Sequence, residues 1–407
     1  MKRYRILLIN PPSPYLANDA AYPPGGLMYL AAVVERAGHE VSIVDFSGNP
    51  NWQSVVPTLE ADLFGITCVT PNFRVVQTLA SLLPQGVPIV VGGPHPTFLP
   101  QDTLDHIRCD GVVQGEGESA VIEVIEDLTR GCLKKVYRGG LVPVGAIPKP
   151  ARHLLTLDKY RPGGEVTTPI YTSRGCHFRC SFCSKITGTR FRALPLQQVV
   201  SEIEEVVTYG YRHILFGDDN TGLQPRRLRE LLQAVTPFHI TFRLNQDARR
   251  IGREMLSLAK KAGCTEISFG IESGSQVMLD RMNKQTSVEE NKKAIWESRS
   301  MGIKTKAYFI VNFPGETEET VGETLRFAEA TRPDQWLLSS FAPLPGSDTF
   351  RNPDRYGITW MSSNWEDYYL VGKDGHFTPC FKTKELTVER QTHLHEVLRN
   401  GLKEILG

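Results

Sequence analysis

Short apolar runs alternate with longer amphipathic stretches through the first 130 residues. Arg5–Ile9, Val41–Asp45, Leu63–Val69, Pro88–Gly92 and Gly111–Gln114 are rich in Ile, Val and Leu and end at Gly, Pro or Asn, the pattern of buried strands. Between them Gly26–Ala37, Trp52–Ala61, Phe73–Leu83 and Gln101–Ile107 carry helical spacing, and Ser119–Leu128 follows. Helices interleaved with nearly continuous apolar strands predict an α/β, doubly wound parallel sheet over about 1–130, with ligands outside the carboxyl ends of the strands. From Gly131 to about Thr168 (131–167) the rhythm breaks. Pro143, Pro148, Pro150, Pro162 and the pairs Gly139-Gly140 and Gly163-Gly164 mark a connecting segment, although Leu154, Leu155, Leu157 and Tyr160 need cover.

A second strand–helix series begins at Thr168. Strands are expected at Pro169–Ser173, His213–Phe216, Thr241–Leu244, Glu266–Ile271, Thr305–Asn312 and Gln335–Ser340. Helices are expected at Leu196–Tyr209, Arg226–Val235, Arg253–Ala262, Val288–Met301 and Glu318–Ala330, with Asn283 and Lys284 closing an extra turn. Six such units over 168–346 predict a partial (β/α)6 barrel. The remaining 347–407 are a short extension, aromatic between Phe350 and Phe381, then helical over Glu389–Ile405. That aromatic stretch reads as a cap over the barrel mouth, as a substrate lid, or as both.

Composition narrows the function. The chain has 407 residues, 41% hydrophobic and 22% charged, as in a globular protein. Lys and Arg number 46 against 45 Asp and Glu, and the net charge of +1 lacks the basic excess of a polyanion-binding protein, so no nucleic-acid partner is expected. No apolar run is long enough to span a membrane, so a soluble, cytoplasmic protein is expected. Eight cysteines, three of them inside eight residues, suggest metal ligands in a reducing compartment.

Arg174-Gly175-Cys176-His177-Phe178-Arg179-Cys180-Ser181-Phe182-Cys183 is the strongest signal. With cysteine at about 2% of residues, a chance CxxxCxxC is roughly a three-in-a-thousand event. Three thiolates, Cys176, Cys180 and Cys183, can hold three irons of a 4Fe–4S cluster and leave the fourth open. Zinc is the competing reading, but structural zinc wants a fourth donor, and His177 between the first two cysteines is awkward for a tetrahedron.

With Phe182 before the last cysteine, this loop resembles the signature of the radical S-adenosylmethionine (radical SAM) superfamily, over about Thr168 to Gly346. The resemblance implies a cluster on the three cysteines, with S-adenosylmethionine chelating the fourth iron through its amino and carboxylate groups. One electron from an external flavodoxin- or ferredoxin-type reductant then yields methionine and a 5′-deoxyadenosyl radical. Gly217-Asp218-Asp219 stands where the family often has Gly-Gly-Glu to receive the ammonium; either Asp218 or Asp219 could do so, or each could cap a helix. Arg243 and Asn245 are candidates for ribose or carboxylate contacts, Glu272 and Ser273 for the nucleoside, and Pro314 for the adenine-side turn, where Thr317 also caps a helix.

Thr67 and Thr70, Gly92-Gly93-Pro94-His95 and Gly115-Glu116 resemble Rossmann-like cobalamin-binding domains, in which glycines let a corrin tail lie along the strand ends. The Pro11–Gly25 stretch contains no histidine, so the implied cobalamin has no histidine beneath the metal. His95 reads as an axial ligand or as a turn histidine, and Tyr15 as a packing residue or a lower-face neighbour. The implied function is cobalamin-dependent methyl transfer to an unactivated carbon of a small molecule, with both cofactors acting where the domains meet. The alternatives are cyclisation, ring contraction or dehydration on the same scaffold, and a corrin carrier or sensor. The scattered Cys68 and Cys264 read as core residues, and Cys380 as core or near substrate.

Overall fold

The computed structural model describes residues 2–160 and 167–407, so Pro162 and Gly163-Gly164 of the expected connecting segment lie outside the described residues. The chain forms two compact units, Met1–Val166 with Asn364–Glu366, and Thr167–Ser363 with Asp367–Gly407.

The first unit is built on β1 (Arg5–Asn10), β2 (Glu40–Asp45), β3 (Leu63–Thr67), β4 (Ile89–Gly92), β5 (Gly111–Gly115) and β6 (Val136–Gly139), all parallel in the order β2-β1-β3-β4-β5-β6. Its helices are α1 (Gly25–Arg36), α2 (Trp52–Val55), α3 (Phe73–Leu82), α4 (Pro94–Phe98), α5 (Pro100–His106) and α6 (Gly117–Arg130). Successive side chains of a strand point to opposite faces. Accordingly Ile6 and Leu8 join one core with Met28, Val33 and Val124, while Leu7 and Ile9 join another with Val76, Leu79 and Val91. The strand order reverses at β1 and β3, the position where such sheets open a crevice.

Three details differ from the sequence expectation. The helix expected over Trp52–Ala61 stops at Val55 and tightens into a 3-10 turn, Val56–Thr58, at Pro57, which has no N–H to continue it. The short α4 follows Gly93 directly. In the segment expected only to connect, Val136–Gly139 pairs with β5. Four residues with one fully buried side chain, Tyr137, leave too little periodicity to read. Within that segment Leu154 and Leu155 pack on the first core, and the Tyr160 hydroxyl donates to Asp45 Oδ2 at 2.6 Å.

The second unit begins with β7 (Thr167–Ile170) and a small ribbon, β8 (Ser173–Arg174) with β9 (Arg192–Ala193). After these, β10 (His213–Phe216), β11 (Thr241–Gln246), β12 (Cys264–Glu272), β13 (Lys304–Val311) and β14 (Gln335–Ser340) extend β7 into a parallel sheet in chain order. Because β7 and β14 are the two ends of that sheet, it is an open arc of six units, the partial barrel. Helices α7 (Leu196–Thr208), α8 (Pro225–Val235), α9 (Arg253–Ala262), α10 (Gln276–Arg281), α11 (Val288–Ser300) and α12 (Glu318–Thr331) follow the strands. One strand face is apolar and buried, with Phe216 edge-on to Phe242 and Phe309 edge-on to Phe327 of α12. The other carries half-buried Leu215, Arg243, Asn245 and Tyr308.

The extension holds α13 (Asp348–Arg351), the antiparallel pair β15 (Ile358–Met361) and β16 (Phe381–Thr383), and α14 (Val388–Leu406), which packs on α12. Of its aromatics Tyr368 and Phe381 are buried, Phe381 edge-on to Phe341, whereas Trp360 is exposed and the others are half-buried. Trp365 belongs to the first unit, where its indole N–H donates to Asp102 at 3.0 Å. Among the described residues no helix is long and apolar enough to cross a membrane.

Candidate active site

The cysteine loop leaves β8 at Gly175, whose φ of +84° and lack of a side chain are both required. A Cβ there would stand 2.3 Å from the Arg190 carbonyl oxygen. Thr187 pins the same corner, accepting from the Gly175 N–H at 3.1 Å and donating to Asp219 Oδ2 at 2.8 Å. Beyond it Cys176 and Cys180 are half-buried and Cys183 is exposed. Burial raises all three thiol pKa values, with Lys284 working against the rise at Cys180 and Lys185 at Cys176, Cys180 and Cys183.

The turn after α10 grips the loop's middle. The Met282 carbonyl accepts from the Ser181 N–H at 2.9 Å and the Ser181 hydroxyl at 3.1 Å, and Asn283 Nδ2 donates to the Arg179 carbonyl at 2.7 Å. His177 points outward, its ring 4.7 Å from that of Phe178, and half-buried Phe182 stays within the loop.

The two aspartates after β10 divide the work. Asp218 is 1% exposed; it accepts from the Thr172 and Ser173 N–H groups and from the Thr172 hydroxyl, each at 2.7 Å. Burial pushes its carboxyl up to about 6 against those hydrogen bonds. Its oxygens are therefore committed to the strand exit that launches the cysteine loop. Asp219 is exposed and tied to the loop through Thr187, with its charge felt by Cys176 and Cys183. Gly217 makes room for the Tyr171 ring, 2.9 Å from where a Cβ would be.

The other expected residues separate in the same way. Asn245 lies near the end of β11, and its Nδ2 donates to the Asp218 carbonyl at 3.4 Å. Arg243 does not reach a strand end, since it sits third of six in β11, in register with Glu266. Glu272 ends β12 with a φ of +63° and pairs with Lys284 at 2.8 Å, beside Cys180. Ser273 is turned away, its hydroxyl 3.1 Å from that of Thr324 on α12. Pro314 is buried in the turn after β13, where the adjoining Gly315 (φ +93°) lies under the Arg281 guanidinium. Thr317 caps α12 as expected. Lys284, Arg249 and Asp247 were not readable as neighbours of the cysteines, because nothing local marks a contact made across a hundred residues of chain.

In the first unit the strand ends also sort themselves. A Cβ on Gly93 (φ +105°) would stand 2.9 Å from both the Cys68 carbonyl oxygen and Thr67 Oγ1. One on Gly115 would lie 2.4 Å from the Gly139 carbonyl oxygen. Glu116 accepts from the Val142 N–H at 2.7 Å. Gly93, Gly115 and Glu116 thus serve the chain's own packing. Gly92 is different: a Cβ would meet only Val113 Cβ at an ordinary 3.8 Å, so space rather than packing accounts for it. Buried Thr70 lies 3.3 Å from His95 Nδ1, and Asp102 lies 3.1 Å from His95 Nε2. With both nitrogens engaged at 0% exposure, His95 is not placed to ligate a metal, and burial lowers its pKa despite Asp102. Beside it Asn72, 2% exposed, keeps Oδ1 without a hydrogen-bond partner.

Comparison with known proteins decides what this arrangement belongs to. The radical SAM superfamily pattern matches residues 170–328, and the B12 binding domain pattern matches residues 19–125. The anaerobic magnesium-protoporphyrin IX monomethyl ester cyclase of Rubrivivax gelatinosus is 30% identical over 387 residues, covering 85% of this chain and 69% of that protein. The chain belongs to the radical SAM superfamily. An uncharacterised methyltransferase of Pyrococcus horikoshii is 29% identical over 426 residues, covering 97% of this chain and 91% of that one. The solved radical SAM methyltransferase TsrM of Kitasatospora setae, with cobalamin and a 4Fe–4S cluster bound, shares the fold at a TM-score of 0.76 and 17% identity, covering all of this chain and 89% of that one.

This radical SAM enzyme therefore takes a 4Fe–4S cluster, S-adenosylmethionine and cobalamin, and its residues fit them. The cysteine loop offers three thiols. Among the described residues no three His, Cys, Asp or Glu side chains converge as ligands of a single ion do. A cluster takes one thiolate per iron, and Cys176, Cys180 and Cys183 supply three. In the first unit, the open space at Gly92 and the unpartnered Asn72 Oδ1 suit a ligand lying along the strand ends.

Proposed function

We propose that this radical SAM enzyme transfers a methyl group, with cobalamin, to an unactivated carbon of a small molecule. The observation that carries the reading is the presence in one chain of a B12 binding domain and a three-cysteine loop after the first strands of a partial barrel. The methyltransferases among its relatives support the same reading. When bound, the cluster and S-adenosylmethionine supply a carbon-centred radical, and the corrin supplies a methyl carrier.

The chain's own residues position and shield. Cys176, Cys180 and Cys183 hold the cluster, and Gly175 and Thr187 fix where their loop starts. Asp219, exposed beside the loop, receives the ammonium of S-adenosylmethionine, while Asp218 keeps the strand exit rigid. Asn245, Glu272 and the turn at Pro314 face the remaining polar groups of that cofactor. Thr67, Thr70 and Gly92 line the corrin side. Substrate enters over the half-buried strand face that carries Tyr308. The electron comes from a flavodoxin- or ferredoxin-type protein in the cytoplasm, and near-zero net charge agrees with a small-molecule rather than a nucleic-acid substrate.

The Rubrivivax relative is a cyclase, which keeps non-methylating radical chemistry as the second reading. Anaerobically reconstituted protein with bound cobalamin, treated with reductant, S-adenosylmethionine and a panel of small-molecule acceptors, separates the two on whichever acceptor is consumed. Methyl transfer gives both S-adenosylhomocysteine and 5′-deoxyadenosine. Cyclisation or rearrangement gives 5′-deoxyadenosine without S-adenosylhomocysteine, and that result overturns the proposal.

A further inference from the structure

Two ion pairs, Lys284 with Glu272 and Arg249 with Asp247, stand beside the cysteine loop, and Cys180 interacts electrostatically with both cations. Lys284 Nζ lies 2.8 Å from Glu272 Oε1, with side chains only 13% and 9% exposed. Arg249 forks onto Asp247, Nε to Oδ1 at 2.8 Å and Nη2 to Oδ2 at 3.0 Å. Its guanidinium covers the Phe178 ring at 4.2 Å and donates to the Gln285 carbonyl. The turn that carries Lys284 is hydrogen-bonded to Arg179 and Ser181, on either side of Cys180, and the Lys284 charge works to lower the Cys180 thiol pKa.

The placement is rigid and has required unusual backbone. Asn283 (φ +51°) and Gln285 (φ +57°) flank Lys284, and Glu272 itself has a φ of +63°; all three are left-handed conformations that non-glycine residues seldom adopt. Gly270 on β12 leaves the necessary space: a Cβ there would stand 2.4 Å from Glu272 Oε1 and 2.9 Å from Lys284 Nζ. The Asn283 and Met282 hydrogen bonds to Arg179 and Ser181 fix this turn on either side of Cys180. Among the described residues only Glu272 accepts a hydrogen bond from the ammonium.

We propose that Lys284 is a positioning residue for electron entry: its ammonium, held by Glu272 beside Cys180, stabilises the added negative charge of the reduced cluster and sets the potential at which one electron is accepted. The electron comes from the external one-electron reductant, and no bond forms or breaks. A fixed charge close to a buried redox group shifts its potential through local electrostatics, and the low-dielectric setting strengthens the effect. The inference rests on the family's cluster and does not depend on which group is finally transferred to substrate.

The two members of the pair make opposite predictions. Removing the lysine charge leaves Glu272 as an uncompensated buried anion, which disfavours reduction. Removing the glutamate charge leaves Lys284 uncompensated, which favours it. Wild type, K284M, K284R and E272Q are reconstituted anaerobically without substrate, assayed for iron and sulfide, and titrated with dithionite and mediators while the electron paramagnetic resonance (EPR) signal of the reduced cluster is followed. At a fixed potential, the ratio of reduced to oxidised cluster falls about tenfold in K284M, equivalent to ~59 mV for one electron. It stays near wild type in K284R and rises in E272Q. Midpoints of K284M and E272Q that move in the same direction, or that do not move at full cluster content, overturn the proposal. Should K284M fail to retain its cluster, E272Q decides alone: a midpoint that does not rise overturns it.

Discussion

Asp218 and Asp219 are adjacent in sequence and opposite in environment. Asp218 holds two backbone N–H groups and a hydroxyl in a buried corner, whereas Asp219 is exposed at the loop. Replacing Asp218 by Ala leaves those donors buried without an acceptor, which costs about 2–3 kcal/mol in denaturant unfolding and loosens the cysteine loop. D219N leaves stability within about 0.5 kcal/mol and weakens S-adenosylmethionine binding about tenfold by calorimetry on the reconstituted protein. Equal stability losses in both variants would contradict this division.

Glu316, in the turn after Pro314, gives a pH-dependent test. It is 3% exposed, its Oε1 has no hydrogen-bond partner, and burial pushes its carboxyl up to about 8 from 4.5. A carboxyl whose folded pKa is raised binds its proton more tightly in the native state. Its contribution is therefore fully present below about pH 4.5 and is lost as pH rises through about 8. E316Q, which keeps the shape and cannot ionise, matches wild type in thermal unfolding near pH 5 and exceeds it by on the order of 2 kcal/mol at pH 9. An advantage that does not grow with pH would mean that Glu316 is solvated.

At the scale of elements, glycines decide where chain meets chain. G175A places a Cβ 2.3 Å from the Arg190 carbonyl at a φ that side chains avoid, so the loop leaves β8 at the wrong angle. Reconstituted G175A is expected to retain less than about half of the wild-type iron while its far-UV circular dichroism is unchanged, because the strain is confined to the loop. G93A drives a Cβ against the Cys68 carbonyl and Thr67 at the end of β3. It lowers cobalamin retention after gel filtration and leaves iron content intact; iron loss in G93A would contradict the local account.

The elements that the sequence made readable are those whose apolar positions repeat strictly. The β1 residues Ile6 to Ile9 divide between two cores, and α12 starts at its Thr317 cap. Four-residue β6, with only Tyr137 fully buried, and α4, a single turn after Gly93, are too short to carry a period. The helix expected to Ala61 overlooked Pro57. For the site, the cysteines and the strand-end acids were readable because they are local motifs. Which acid faces the loop, and that Lys284 and Arg249 stand beside Cys180, depend on contacts made only on folding.

At the scale of the molecule, a six-stranded doubly wound unit and a six-stranded open arc each present the carboxyl ends of parallel strands, where ligands gather in such sheets. Only the second carries the three-cysteine loop. The account's central claim is that this loop holds a cluster with one iron left for S-adenosylmethionine. Chemical analysis with EPR of the anaerobically reconstituted, dithionite-reduced protein, before and after adding S-adenosylmethionine, tests it most directly. The account predicts about four irons and four sulfides per chain and a reduced-cluster signal whose g values change on addition. Zinc without inorganic sulfide, or an iron–sulfur signal indifferent to S-adenosylmethionine, would contradict it.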